Sequence, residues 1–239
     1  MLKAQLRSII RENLSVVLQY DPYERFEGVT TKEHFLKLIK NDPAFSPFFL
    51  HNSKYATARV GGNLITSLHR KLGDMYEEMF KTLLRDRLKV PEEDLTFSVK
   101  LNIDGELQER STDGLIRFAS LNQSEKNRLA ELFKVGKQAG IGVAFEVRSC
   151  YQIGDSKRIQ ADRDVCLALK NSNIIPVMLI FCSTSLRSPV ERLSKYWNLF
   201  QGKQAFSAVE SITGFDLYEF LIGESKTIEP LMKEIFDMM

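Results

Sequence analysis

The segment IIPVMLIFC (174–182) is the longest uninterrupted apolar run in the chain. It is far shorter than the roughly 20 residues that span a bilayer. Its branched apolar side chains are instead typical of a β-strand that is buried on both faces. Such a strand lies inside a sheet that helices cover, so this one segment favours an α/β fold.

A strand-turn-strand pattern precedes this buried segment. Residues 95–103 alternate apolar and polar side chains, as a half-buried strand does. Asp104 and Gly105 follow, and an Asp-Gly pair is a strong hairpin signal. We expect the partner strand over 109–118, a third strand over 141–149 and the buried strand over 174–182.

Helical periodicity fills most of the remaining chain. An apolar stripe with spacings of three and four predicts a long helix over 63–87, preceded by a polar loop over 51–63. Thr30 is a candidate N-cap for a helix over 31–41, and Glu33 occupies the capping-box position. Further helices are predicted over 2–20, 123–138, 157–171, 189–201, 204–212, 215–222 and 227–238.

The order of these elements predicts an α/β fold with a mixed central sheet flanked by helices. Helical additions are expected at both ends of the chain. No shift in composition marks a boundary, so we expect one domain over 1–239. Its expected parts are an N-terminal helical region (1–60), a catalytic core (61–185) and C-terminal helices (186–239).

The overall charge and the cysteines indicate where the protein is located, but they say little about its function. A net charge of +2 neither indicates nor excludes nucleic acid as a partner. Charged residues interrupt the apolar residues of the first helix, unlike in a secretory signal. Cys150, Cys166 and Cys182 lack metal-type spacing, so free thiols are expected. We therefore expect a cytoplasmic protein without membrane attachment.

Three acidic residues stand out by position: Glu77 in the long helix, Asp113 in the second strand and Glu146 in the third. Glu146 and Arg148 share one face of their strand, and such a charged pair is costly in a core unless the face borders a cleft. Carboxylates that converge on a cleft repel each other, and Mg²⁺ relieves the repulsion. The residues alone leave open a structural Glu146–Arg148 pair, with Asp113 in an ordinary turn.

The order of strands and acids resembles the PD-(D/E)XK nuclease superfamily. Asp113 matches the acid of its second core strand, Glu146 the acid of the third, and Glu77 a helix glutamate that supports the metal. The stretches STDGLIRFA (111–119), FEVRSCYQIGDSKRIQADRD (145–164) and PVMLIFCSTSLRSP (176–189) are similar to the ApaLI-like family of Type II restriction endonucleases. This resemblance runs from about residue 55 to 220. It implies magnesium-dependent hydrolysis of DNA, with the three acids at the metal.

One position departs from the superfamily pattern, because Arg148 stands where most members have a lysine. Arginine stabilises negative charge on phosphate but does not lose a proton to act as a base. Lys157, at the start of the following helix, is the candidate for a migrated lysine. Gln160 shares its helix face and is similar to a glutamine that some branches of the superfamily place near the metal.

Double-stranded DNA is the partner that the resemblance implies. Side chains suited to phosphate or base contacts occur in three places: Lys54, Tyr55, Arg59 and Arg70; Arg158, Asp162 and Arg163; and Ser183, Ser185 and Arg187. The resemblance also implies a homodimer that cuts a palindrome, and GTGCAC is the sequence to try first. The helices of 2–41 or those of 204–238 are the expected dimer surface.

Three other functions stay open at this stage. A non-specific or structure-directed repair nuclease would use the same acids. A catalytically inactive DNA-binding protein on the same core is favoured by Arg148 at the lysine position. An α/β enzyme acting on a small molecule has less support, because no glycine-rich phosphate loop, nucleophile elbow or zinc motif is present.

Overall fold

The computed structural model describes residues 1–24, 26–103, 105–133, 140–151 and 156–238. Its helices are α1 (Leu2–Leu18), α2 (Lys32–Lys40), α3 (Ser53–Leu88), α4 (Glu92–Leu95), α5 (Gln123–Leu132), α6 (Ser156–Asn171), α7 (Arg187–Leu193), α8 (Lys203–Thr213), α9 (Leu217–Gly223) and α10 (Ser225–Asp237). Its strands are β1 (Ser98–Ile103), β2 (Glu106–Ser111), β3 (Leu115–Arg117), β4 (Gly142–Arg148), β5 (Ile174–Ile180) and β6 (Asn198–Gln201).

The chain divides into two compact units. The first comprises Met1–Leu6 and Gly73–Glu224 and contains both sheets. The second comprises Arg7–Leu72 and Ser225–Met239 and is built from helices. The expected single domain, with its parts at 1–60, 61–185 and 186–239, stays a prediction.

A four-stranded mixed sheet lies in the first unit, in the order β3-β4-β5-β6. β3 runs antiparallel to β4, whereas β4, β5 and β6 are parallel. Six consecutive residues of β4 are buried, as are all residues of β5 except Ile175. The predicted mixed α/β class is therefore confirmed, while its identity with a nuclease core stays a prediction.

The predicted hairpin is present, but it forms a separate two-stranded sheet of β1 and β2. Ile103 pairs with Glu106, so two residues connect the strands. Gly105 has a φ of +89°, which suits glycine in a tight turn. Asp104, the other predicted turn residue, lies outside the described residues.

The expected single strand over 109–118 is wrong, because the chain changes sheets in its middle. β2 ends at Ser111 in the hairpin, and β3 begins at Leu115 in the mixed sheet. Between them Gly114 has a φ of +139°, a conformation that side chains other than glycine's rarely adopt. This one residue allows the strand to break and redirect.

The long helix begins at Ser53, so the expected polar loop over 51–63 is wrong. Asn52 precedes the helix, and its Oδ1 accepts a hydrogen bond of 2.9 Å from the Tyr55 N–H. Ala56 and Val60 are buried, which extends the apolar face from Leu64 by two further spacings of four residues. α2 likewise differs at its start: the N-cap is Thr31, rather than the predicted Thr30.

The predicted helix over 189–201 is also wrong, because it contains a strand. α7 ends at Leu193, and β6 (Asn198–Gln201) pairs parallel to β5 at the edge of the sheet. Leu193 and Trp197 are both buried and lie four residues apart, which imitates a helical period. The expectation that 186–239 contains only helices is therefore wrong.

The other predicted helices are largely confirmed. α6, α8, α9 and α10 match the predicted helices at 157–171, 204–212, 215–222 and 227–238 within about two residues at each end. α5 begins as predicted and ends at Leu132; residues 134–138 of that prediction lie outside the described residues. Among the helices that the structure describes, none has the length and hydropathy required to cross a membrane.

Candidate active site

Asp113 lies at the bend where the chain passes from β2 to β3, rather than within a strand as expected. Its N–H donates to the Phe145 carbonyl at 2.8 Å, and the Phe145 N–H donates to the Gly114 carbonyl at 2.9 Å. Its Oδ2 accepts a hydrogen bond of 2.8 Å from the Val147 N–H. Backbone bonds to β4 therefore fix both the chain and the carboxylate of Asp113.

The guanidinium of Arg148 contacts the carboxylates of both Asp113 and Glu146. Its Nη1 lies 3.7 Å from Oδ2 of Asp113, and its Nη2 contacts Oε1 of Glu146. The side chains of Asp113 and Glu146 are only 13% and 7% exposed. Two buried carboxylates thus converge on one cation, and the Glu146–Arg148 contact is also the ion pair that the structural alternative predicted.

A third carboxylate, from α6, completes this cluster. Oδ1 of Asp162 lies 3.4 Å from Nη2 of Arg148, and its Oδ2 accepts a hydrogen bond of 2.6 Å from the Tyr151 hydroxyl. Asp162 is buried, so the expectation that it reaches a duplex is wrong. The sequence could have indicated this burial, because Asp162 lies on one helical stripe with the buried residues Ile159 and Cys166. An acid in such a stripe needs a partner.

Glu77 and Lys81 lie one turn apart on α3. Nζ of Lys81 is 2.6 Å from Oε1 of Glu77 and 3.4 Å from the Thr96 hydroxyl. The charges of both residues act on the pKa of Asp113, which indicates that both lie near its carboxylate. The sequence prediction included Glu77 but missed Lys81, although a Glu-Lys pair at this spacing is a recognisable helix pattern.

Burial raises the pKa of Asp113 to about 6, and the negative charge of Glu77 acts in the same direction. The charge of Arg148 and the Val147 N–H oppose the shift. Burial disfavours the charged form of Arg148, but the charges of Asp162 and Asp113 raise its pKa overall. The Asp113 carboxyl therefore holds its proton to a higher pH than an exposed aspartate does.

In proteins, Mg²⁺ commonly takes one or two carboxylates and completes its shell with waters and phosphate oxygens. Asp113 and Glu146 supply two such carboxylates at one place. Within the described part of the chain, no group of three or more His, Cys, Asp or Glu is arranged to hold a metal ion. Asp113 and Glu146 alone would leave most of an ion's coordination shell to waters and phosphate oxygens.

Lys157 and Gln160 lie on an exposed face of α6. Asp162 lies on a different face of that helix, and it is the Asp162 face that meets Arg148. For the lysine position, the structure therefore offers Lys81 as a candidate alongside Lys157.

The predicted DNA contacts of the first unit differ in their environment. Arg158 and Ser183 are exposed. Arg163 pairs with its neighbour Asp164 at 2.8 Å, and the exposed Arg187 pairs with Glu191 at 2.6 Å. Ser185 is partly buried, and its hydroxyl accepts a hydrogen bond of 3.0 Å from the Tyr151 N–H, so it has a structural role.

The predicted DNA contacts of the second unit lie on α3. Lys54, Arg59 and Arg70 are exposed along the helix. Tyr55 is half-buried, with its ring centroid 6.4 Å from that of Phe45. The three basic residues are accessible to a ligand, whereas the Tyr55 ring is largely used in packing.

Comparison of the chain with protein-family models, curated proteins and solved structures found no match. The resemblance to the ApaLI-like family consequently rests on the sequence motifs alone. The geometry of the carboxylate cluster is independent of that resemblance.

Proposed function

We propose that this chain is a Mg²⁺-dependent endonuclease that hydrolyses phosphodiester bonds of double-stranded DNA at a specific short palindrome. The observation that carries the proposal is the convergence of buried Asp113 and Glu146 on a single cation, the Arg148 guanidinium. The sequence resemblance supports the more specific claims of this proposal: that the protein is a restriction enzyme, that it is a homodimer, and that GTGCAC is the first sequence to test.

Asp113 and Glu146 are the residues that would hold the ion, with Glu77 as a supporting group. When bound, Mg²⁺ lowers the pKa of water and neutralises charge on the scissile phosphate. The Val147 N–H orients Asp113, because it donates to the same Oδ2 that faces Arg148. Glu146 projects from the buried strand β4, which restricts its movement.

Arg148 stabilises the negative charge that develops on the phosphate, since a guanidinium keeps its proton. Asp162 of α6 positions it, and the Tyr151 hydroxyl, from the segment after β4, holds Asp162 in turn. In its present place the guanidinium neutralises Glu146, so binding of an ion there requires it to move aside. We assign the lysine role to Lys81 in preference to Lys157, because Lys81 pairs with Glu77 at 2.6 Å and its charge lowers the pKa of Asp113.

The first experiment is incubation of the purified chain with a long natural duplex DNA in Mg²⁺, in Ca²⁺ and in EDTA, followed by electrophoresis. Discrete fragments in Mg²⁺ alone are expected, and sequencing of their ends identifies the cleaved site. A synthetic duplex containing GTGCAC, paired with one in which that hexamer is scrambled, tests the expected sequence directly. A smear would instead support the non-specific repair nuclease.

Three variants connect the cleavage to the cluster. Asp113→Asn and Glu146→Gln each remove one carboxylate charge, and both should abolish cutting while the protein stays folded. Glu109→Gln makes the same chemical change at an exposed position of β2 and should cut normally. Cutting by Asp113→Asn or Glu146→Gln at the rate of Glu109→Gln would refute the proposed site.

A second candidate is a DNA-binding protein without catalysis. Arg148 already pairs with both carboxylates, which favours this candidate. It predicts that a gel-shift assay detects the same DNA affinity in Mg²⁺ and in EDTA, with the DNA intact in both. The nuclease proposal predicts fragments in Mg²⁺.

A further inference from the structure

Two cysteines occupy adjacent positions beyond the ends of β4 and β5. The parallel register pairs Arg148 with Ile180. Hydrogen bonding continues past the strands, because the Cys182 N–H donates to the Ser149 carbonyl at 2.9 Å. Continuing the register by two residues places Cys150 opposite Cys182. Neighbouring strands lie about 4.8 Å apart, and a disulfide needs a Cα separation of about 4.4 to 6.8 Å.

One hydroxyl bridges the two thiols. Oγ of Ser185 lies 3.2 Å from Sγ of Cys182 and 3.7 Å from Sγ of Cys150. Both cysteines are partly exposed, so small solutes have access to them. Cys166, in contrast, is fully buried in α6. The two strand-end thiols therefore share a polar, accessible environment that the third thiol lacks.

We propose that Cys150 and Cys182 form a modification site, a dithiol that hydroperoxides oxidise to an intramolecular disulfide. The site lies two residues beyond Arg148 along the chain, and it does not depend on the proposed nuclease function.

The two thiols have different parts in the reaction. Partial burial disfavours the Cys182 thiolate, but hydrogen bonds from Cys150, Ser185 and Thr184 lower the pKa of Cys182 overall. Burial, together with the hydrogen bond to Cys182, raises the pKa of Cys150 to about 11. Cys182 is therefore the thiol that attacks the peroxide, and Cys150 is the thiol that resolves the product.

The steps balance with a hydroperoxide as the oxidant. The Cys182 sulfur attacks one peroxide oxygen; an S–O bond forms, the O–O bond breaks, and the leaving oxygen takes the thiol proton to give water or an alcohol. The Cys150 sulfur then attacks the resulting sulfenic acid; an S–S bond forms, the S–O bond breaks, and water leaves. Two thiols are oxidised by two electrons, and one peroxide is reduced.

Oxidation has a structural consequence close to the candidate site. Ser185 also accepts the Tyr151 N–H at 3.0 Å, and the Tyr151 hydroxyl holds Asp162. Joining the two sulfurs removes both thiol protons and so changes the contacts of the Ser185 hydroxyl, which donates to Sγ of Cys150 and lies 3.2 Å from Sγ of Cys182. The position of Tyr151, and through Asp162 that of Arg148, is expected to respond.

The test is mild oxidation of the full chain with hydrogen peroxide, followed by alkylation and peptide mapping without reductant. A Cys150–Cys182 linked peptide, lost again after dithiothreitol, is expected in most molecules, with Cys166 recovered as a thiol. Recovery of both Cys150 and Cys182 as free thiols, or disulfides formed only between molecules, would overturn the proposal.

Three serine variants separate the roles. Cys150→Ser should accumulate a sulfenic acid at Cys182 that dimedone traps, because its resolving thiol is absent. Cys182→Ser should consume peroxide about tenfold more slowly, since reactivity follows the thiolate fraction. Cys166→Ser should behave as the unmodified chain. Equal peroxide consumption by Cys182→Ser and Cys166→Ser would contradict the assignment of Cys182 as the attacking thiol.

Discussion

The Tyr151 hydroxyl donates a hydrogen bond of 2.6 Å to Oδ2 of Asp162, and the other carboxylate oxygen lies 3.4 Å from the Arg148 guanidinium. Burial raises the pKa of Tyr151, and the charge of Asp162 acts in the same direction. The phenol therefore remains a protonated donor throughout the neutral range. This pair connects α6 to the charged end of β4.

Tyr151→Phe tests the importance of that connection for stability. The variant leaves one oxygen of a buried carboxylate without its donor, so we expect the free energy of unfolding to fall by about 1–3 kcal/mol. Urea denaturation measures the change. Tyr218→Phe is the control, because that side chain is 47% exposed. Equal stability of the two variants would contradict the role of the hydroxyl.

Arg148→Gln removes the cation from among three carboxylates. Without metal, we expect the free energy of unfolding to fall by about 3–5 kcal/mol, as it does when one partner of other buried ion pairs is removed. Mg²⁺ should then raise the melting temperature of the variant more than that of the unmodified chain, because the ion replaces the missing charge. Arg187→Gln, at a side chain that is 87% exposed, is the matched control. A variant that Mg²⁺ does not stabilise would argue against a metal at this cluster.

Lys81→Gln and Lys157→Gln compare the two candidates for the lysine role. Loss of Lys81 should slow DNA cleavage about 10²-fold or more, the usual effect of removing one positioned charge from an active site. Lys157→Gln should cleave at nearly the normal rate, since Lys157 lies on an exposed face of α6. Single-turnover cleavage rates at saturating enzyme give the comparison. If Lys157→Gln were instead the slower of the two variants, Lys157 would be the residue in the lysine role.

Gly114→Ala tests the break between β2 and β3. The added Cβ would lie 2.9 Å from Cδ1 of Leu84, at a φ of +139°. Strain of this kind costs of order 1–3 kcal/mol, so the midpoint of urea unfolding should fall accordingly. Gly62→Ala is the control, because a Cβ there meets no atom within 4 Å. If the two variants are equally stable, the special conformation of Gly114 is not required.

Tyr76 should contribute to unfolding at high pH. Burial raises its pKa from 10.0 to about 12, and its ring stacks on Phe181 with the centroids 4.2 Å apart. The folded state holds the phenolic proton more tightly, so this stabilisation is complete below pH 10 and is lost as the pH rises towards 12. Between pH 8 and 11, Tyr76→Phe should lose about 1 kcal/mol less stability than the unmodified chain. Urea denaturation at the two pH values measures this, and equal losses would contradict it.

Local patterns in the sequence determined much of the fold, because hydrophobic periodicity and turn chemistry act over a few residues. The alternation over 95–103 and the Asp-Gly pair predicted the hairpin, and the apolar run at 174–182 predicted the buried strand β5. The position of Glu146 on a buried strand was also available from sequence. So was the choice of Asp113, which its expected place on the neighbouring strand indicated and the family resemblance supported.

Other features of the fold and of the site depend on contacts between residues far apart in the sequence, and only the tertiary structure decided them. The strand at Asn198–Gln201 forms because the edge of β5 offers it hydrogen bonds, although its surroundings have helical spacing. Gly114 redirects the chain between two sheets, which no single-strand pattern contains. Asp162 and Lys81 reach the cluster from α6 and α3 only after these helices pack beside the strands. A charge's partners depend on distances in space, and the sequence specifies those distances only through the complete fold.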